Sequence, residues 1–391
     1  MAKKRKLGII GKIFVSIFSI IGAVVVLAGG YVAYILLSYN RIGDIELSVD
    51  KGATQSEVQV GTTYKAASYN LGFGAYSQDY TFFLDTGFDT DGNETCGHWS
   101  KARSKEDVEF NISGALSTIK QANPDFIAFQ EVDTKATRSY KLNEDNAVKE
   151  AFPDMDHTHA VNYHTAFLPY PLYDMHGAVK AGLSTLSKFS ITEAQRKEYT
   201  VSTSFSKFFD LDRCFSYQKI TVSNGKNFYF VNSHMSAYDV GGIIKAKQLE
   251  ELNAFLSERK EAGDYVIVAG DYNHDLLTFN PDYSYDKTTN RPFGETKKDP
   301  TWVVNWFGTD GSSPLVDGYK MIASDNTPSC RNNDIEWTPG TTYTCVVDGF
   351  IVSDNITVSS HYNIQTKNGK KGIDGFAFSD HEPAMIEFSL N

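Results

Sequence analysis

A chain of 391 residues with 41% hydrophobic and 13% aromatic content can bury one large core or two medium ones. Its formal charge of -11, from 37 Lys/Arg against 48 Asp/Glu, excludes a global electrostatic pull on nucleic acid or anionic lipid. It does not exclude an enzyme that meets a phosphodiester through a local metal site.

The N-terminus begins MAKKRK, and residues 13–37 carry no charge. As a helix that stretch spans roughly 37 Å, enough for a bilayer core with some tilt. Tyr31, Tyr34 and Tyr39 sit at its far end, where aromatic belts belong. No A-x-A cleavage site follows, so the segment predicts an uncleaved single-pass anchor in the cell membrane. The basic residues 1–12 then stay in the cytoplasm, residues 38–61 form a tether, and residues 62–391 form one extracytoplasmic catalytic domain. Outside the membrane disulfides are permitted. The cysteines show no C-x-x-C and no zinc spacing. Cys330 and Cys345 are close enough to staple one loop, which would leave Cys96 with Cys214; free buried thiols are the alternative.

Residues 63–71 (TYKAASYNL) read as a strand ending at Asn70, and residues 72–99 as a long Gly-, Asp- and aromatic-rich loop. Residues 105–122 read as a helix. Ser104 and Asp107 make a capping box, Val108, Ile112, Ala115, Leu116 and Ile119 recur at helical spacing, and Pro124 stops it. Residues 125–132 (DFIAFQEV) form a buried strand ending at Glu131, and residues 143–152 a helix. Strands follow at 182–189, 213–222 and 227–232, with Asn224-Gly225 as a hairpin turn between the last two and His234 just beyond. A helix at 242–260 precedes the strand VIVAGD, whose β-branched run suggests burial on both faces and which opens into Asp271, Asn273 and His274. Residues 278–345 form a long insertion. Strands at 346–353 and 356–361 and a last one near 384–390 follow, with Asp380-His381 ahead of the last.

Polar groups thus recur where apolar strands end: Asn70, Glu131, His234, Asp271 with Asn273, and Asp380-His381, with Asp348 inside a further strand. Each alone reads as a turn, surface or core residue. Together they sit at strand ends that point to one rim. The pieces SYNLG, FIAFQEVD, FVNSHMS, VIVAGDYNHD, VVDGFIVS and FSDHEPAMIEF resemble, in order, those of the endonuclease/exonuclease/phosphatase superfamily. That family includes pancreatic-type deoxyribonucleases, abasic-site endonucleases, bacterial sphingomyelinases and inositol polyphosphate 5-phosphatases. The resemblance covers roughly residues 62–391. It implies an α/β four-layer sandwich of two packed mixed β-sheets flanked by helices. It also implies roles. Glu131 is the main Mg²⁺ ligand with Asn70 nearby, Mn²⁺ being a substitute, and Asp380 contacts a second metal. His381 serves the attacking water and Asp348 holds its tautomer. Asp271 and Asn273 bind the phosphate, its metal or the nucleophile, and His234 contacts the phosphoryl oxygens. Arg138 and Arg213 are phosphate-clamp candidates left outside the catalytic set.

The expected activity is a monomeric, metal-dependent phosphodiesterase acting on nucleic acid. Substrate stays open at this level. A phospholipid phosphodiesterase of the sphingomyelinase type and an inositol-phosphate phosphatase are alternatives on the same chemistry, and a non-catalytic binding domain is the alternative of another class. No inositol-phosphatase motif and no clear hydrophobic hairpin stand out, although Tyr80, Phe82, Phe83, Phe88 and Trp99 crowd the early loop.

Overall fold

The computed structural model describes residues 8–237, 242–283 and 299–391; the basic run that opens the chain lies outside them. The chain divides into two compact units, Met1–Arg41 and Ile42–Asn391. The first is helix α1 (Ile9–Ser38), long and apolar enough to cross a membrane.

The second unit is built on two mixed sheets. One has seven strands in the order β1 (Ile45–Glu46), β8 (Ile191–Glu198), β9 (Cys214–Thr221), β10 (Asn227–His234), β11 (Tyr265–Asp271), β15 (Asp348–Ser353) and β12 (Tyr319–Ile322). The other has six: β16 (Ile356–Asn363), β17 (Ala384–Leu390), β2 (Thr63–Asn70), β5 (Phe126–Asp133), β7 (Gly177–Ser187) and β6 (Asp156–Leu168). Two short hairpins, β3 (Thr86–Phe88) with β4 (Glu94–Cys96) and β13 (Cys330–Arg331) with β14 (Thr344–Cys345), lie in the inserted segments.

Alternation along the strands explains the layering. In β11, Ile267 and Ala269 join Phe126, Ala128, Phe228 and Phe230 in the core between the sheets. Val266 and Val268 face the other way, onto Leu252, Phe255 and Leu256 of α4 (Ile243–Ala262). Burial on both faces is why VIVA is uninterruptedly apolar. On the outside of the second sheet, Val108, Ile112, Ala115, Leu116 and Ile119 of α2 (Lys105–Ala122) cover Ala67, Tyr69, Ile127 and Phe129, beside α3 (Glu144–Ala151). The Ser104 hydroxyl caps α2 by accepting from Asp107 N at 3.0 Å. Helix, sheet, sheet and helix make the expected four layers.

Three expectations differ. Residues 42–61 are not a free tether: β1 pairs with β8, Asp50 bridges His157, and Val58 N donates to Thr221 O at 2.9 Å. Strands β6 and β8 escape the sequence reading because DHTHAVNYHTAFL and ITEAQRKE lack apolar runs. Finally, no disulfide joins the four cysteines. Cys96 is exposed on β4 while Cys214 is buried between the sheets, so that pairing does not form. Cys330 and Cys345 face each other across the β13–β14 pair as thiols.

Candidate active site

Strand register brings the polar ends together. β10 and β11 run parallel with His234 opposite Asp271, and β15 returns antiparallel with Asp348 opposite Asp271. In the other sheet β2 and β5 run parallel, with Asn70 opposite Gln130, the residue before Glu131. Gly270 allows this spacing, since a Cβ there would lie 2.2 Å from Ser233 O. A break in the β5–β7 register between Phe129 and Val132 and a φ of 53° take Glu131 out of the ladder and onto the cavity wall.

The cavity at this rim has a volume of about 480 Å³. Of the eight residues expected at the site, Glu131, His234, Asp271, Asn273, Asp380 and His381 line it. Asn70 and Asp348 are buried behind them. His381 Nδ1 bonds Asp348 Oδ2 at 2.8 Å, and its Nε2 lies 3.8 Å from Asp271 Oδ2 and 3.7 Å from Cys330 Sγ. Ser329 Oγ donates to the same Asp348 oxygen at 2.8 Å. Asn70 Nδ2 donates to Asp271 Oδ2 at 3.0 Å, Asn273 N donates to Asp271 Oδ1 at 2.9 Å, and His234 Nε2 lies 3.5 Å from Asp271 Oδ2. Three of these contacts link one sheet, or the loop entering its strand β17, to the other: Asn70 to Asp271, and His381, on that loop, to both Asp348 and Asp271.

Burial and charge set the protonation. Burial opposes a charged His381, but Asp348, Cys330, Asp271 and Asp380 outweigh it and hold its pKa well above the ordinary value. Burial, helped by Arg213, His381 and Arg138, keeps His234 well below. Burial lifts Asp271 to about 6 and also raises Glu131.

Glu131 accepts no hydrogen bond among the described residues. Its ion-pair contacts are with Arg138 Nη2 at 3.9 Å and His234 Nε2 at 4.0 Å. Glu131 and Asp380 line the same cavity, Asp380 acts on the Glu131 charge, and carboxylate oxygens are the donor type that fits a hard divalent cation. The tightest His/carboxylate group is a different one, Asp271, Asp348 and His381, whose ligand atoms all lie within 4.8 Å of one another. Asn70 Oδ1 is engaged by Gly72 N at 2.9 Å.

Three arginines also line the cavity. Arg138 is held by two bonds to Asp133, at 3.1 and 2.9 Å, and lies over the Phe73 ring. Arg213 donates to Met235 O at 2.8 Å, and its Nε is buried without a hydrogen-bond partner. Arg331 donates to Ser77 O at 3.1 Å, while its Nε and Nη1 are likewise unpartnered. Arg331 and Asn333, which donates to Asp380 at 2.9 Å, were invisible in the sequence reading. They sit in SCRNND, inside an insertion with no periodicity to anchor them.

The endonuclease/exonuclease/phosphatase family model matches residues 68–381. No curated protein matches the chain. Among solved structures, an endonuclease/exonuclease/phosphatase from Beutenbergia cavernae has a TM-score of 0.51 at 10% identity, covering 84% of this chain and 72% of its own. The human Nocturnin catalytic domain with bound sulfate has a TM-score of 0.48 at 14% identity, covering 88% and 97%. D. rerio TDP2 complexed with single strand DNA product has a TM-score of 0.47 at 14% identity, covering 84% and 100%. With the family model spanning most of the folded unit, the chain belongs to the endonuclease/exonuclease/phosphatase family of metal-dependent phosphoric ester hydrolases.

Proposed function

We propose that the chain is a membrane-anchored, extracytoplasmic phosphodiesterase that uses Mg²⁺ and acts on nucleic acid. The observation that carries the chemistry is His381, bonded through Nδ1 to buried Asp348 while Nε2 is turned to Asp271 in the cavity that also receives the open Glu131 carboxylate. Because Asp348 keeps Nδ1, proton exchange with an attacking water falls to Nε2. Asp271 and Asn273 orient that water or the phosphoryl group. His234, neutral in this setting, donates to a non-bridging oxygen, and Arg213 and Arg138 add positive charge nearby. Glu131, with Asn70 and Asp380, would hold the cation, which when bound neutralises phosphoryl charge. Helix α1 supports the anchor by its length and apolarity.

The test is turnover of bis(p-nitrophenyl) phosphate, plasmid DNA, RNA, sphingomyelin and inositol phosphates, with Mg²⁺ and after chelation. Cleavage of the chromogenic diester and a nucleic acid, abolished by chelator and restored by Mg²⁺, is the expected result. A folded protein inert toward every diester overturns it.

A further inference from the structure

The catalytic floor occupies only part of the cavity. Facing it are Phe82, Phe83 and Leu84 from the segment before β3, Tyr170 from the tip of the β6–β7 hairpin, and Trp302 from the later insertion. None of these belongs to the strand ends that carry the chemistry. The wall is built rather than loose. Phe82 N donates to Asn333 O and Phe83 N to Trp99 O, both at 2.9 Å. The hairpin tip is tied to the same segment, since Tyr173 Oη donates to His98 O at 2.8 Å and Ser100 N donates to Asp174 at 2.9 Å. The His98 and Tyr173 rings stack at 5.1 Å and 18°. Lys101 pairs with Asp174 at 3.0 Å. Phe83 and Tyr170 stand 5.9 Å apart, centroid to centroid. Yet Tyr170 keeps 59% of its surface exposed and Leu84 53%. Fixed backbone that presents uncovered aromatic faces to a cavity is a preorganised stacking surface.

Charge restricts what else can bind. Among the described residues the only Lys or Arg side chains lining the cavity are Arg138, Arg213 and Arg331, all buried, and the lining also includes the carboxylates Asp85 and Asp210. That supply of positive charge suits one phosphoryl group. A duplex crossing the site would need further cations along its backbone.

Building on the phosphodiesterase reading, we propose that the site is selective for a phosphoester whose one arm ends in a flat aromatic group, seated against Phe83 and Tyr170 while a single phosphoryl group meets the catalytic floor. A nucleotide at a strand end and a small aryl ester share this chemistry.

The test is calorimetric binding to the full chain in detergent with Mg²⁺, using phenylphosphonate, cyclohexylphosphonate and methylphosphonate, each a phosphoryl group with one arm. Phenylphosphonate should bind roughly tenfold or more tightly than methylphosphonate, the scale of burying one ring, and more tightly than the non-planar cyclohexyl compound. Phe83→Ala and Tyr170→Ala should each reduce the phenyl-to-methyl ratio. Tyr170 is exposed enough that its variant folds even if the Phe83 variant does not. Equal binding of the phenyl and methyl compounds, equal binding of the phenyl and cyclohexyl compounds, or a ratio untouched by Tyr170→Ala overturns the proposal. Thymidine 5′-monophosphate separates the two sources: binding tighter than phenylphosphonate assigns a nucleotide, weaker binding an aryl ester. The readout is binding, so a protein that prefers the phenyl compound but hydrolyses no diester would refute the hydrolase reading and leave this one standing.

Discussion

At the residue scale, Glu131 and His381 share one cavity and are assigned different work, so their variants should fail differently. Glu131→Gln keeps shape and loses charge; Mg²⁺ binding should weaken, and added Mg²⁺ should recover part of the activity. His381→Ala leaves the proposed cation ligands in place, so added Mg²⁺ should not help, and the rate should fall by roughly a hundred- to ten-thousandfold. Steady-state kinetics across a Mg²⁺ titration separates the two, and equal rescue of both would reject the division of labour. Strand-end motifs made these residues legible, because a carboxylate or histidine directly after a buried apolar run is a local pattern. Asp133, Arg331 and Asn333 were not legible. Asp133 matters only because Arg138, five residues on, folds back onto it, and Asn333 only because Asp380 is its neighbour in space.

At the element scale, apolar runs and caps made α2, β2, β5, β10 and β11 readable, since each buries continuous apolar surface. β8 was hidden because half its residues face outward, and β1 because two residues carry no pattern. These hidden strands decide where the catalytic unit begins. Arg196, fully buried in β8, donates to Ile42 O at 2.6 Å and Gly43 O at 2.9 Å, and Asp156 accepts from Gly52 N and Ala53 N, both at 2.9 Å. A truncation starting at Thr62 removes both acceptors of Arg196 Nη1 and both donors to Asp156 Oδ1, and each buried polar atom left unsatisfied costs roughly 1–3 kcal/mol. It should therefore melt well below a truncation starting at Ile42 in a calorimetric comparison. Equal melting temperatures would restore the tether.

At the scale of the whole molecule, acid sensitivity follows from two buried histidines. His176 and His274 are both lowered to about 4, mainly by burial, with Arg138 opposing the charge on the first and Lys245 on the second. A depressed histidine contributes stability that is complete above its unfolded value near 6.5 and is lost as pH falls through 4. Each accounts for about 3 kcal/mol. The melting temperature should drop across that window, and more shallowly in His274→Gln; a flat profile would contradict the burial. The proposed anchor predicts that the protein fractionates with membranes and is shaved from intact cells by added protease, whereas protection until lysis would reverse the orientation. The Asn70–Asp271 bond, at 3.0 Å, joins the two sheets, and the His381–Asp348 bond, at 2.8 Å, joins the loop entering β17 of one sheet to β15 of the other. The reactive groups are therefore stitched across a seam, and a slip of one layer over the other by an ångström would break both stitches while leaving every strand paired within its own layer. Catalysis should then vanish in urea ahead of the far-ultraviolet dichroism, making turnover the most sensitive gauge of how the two halves are aligned.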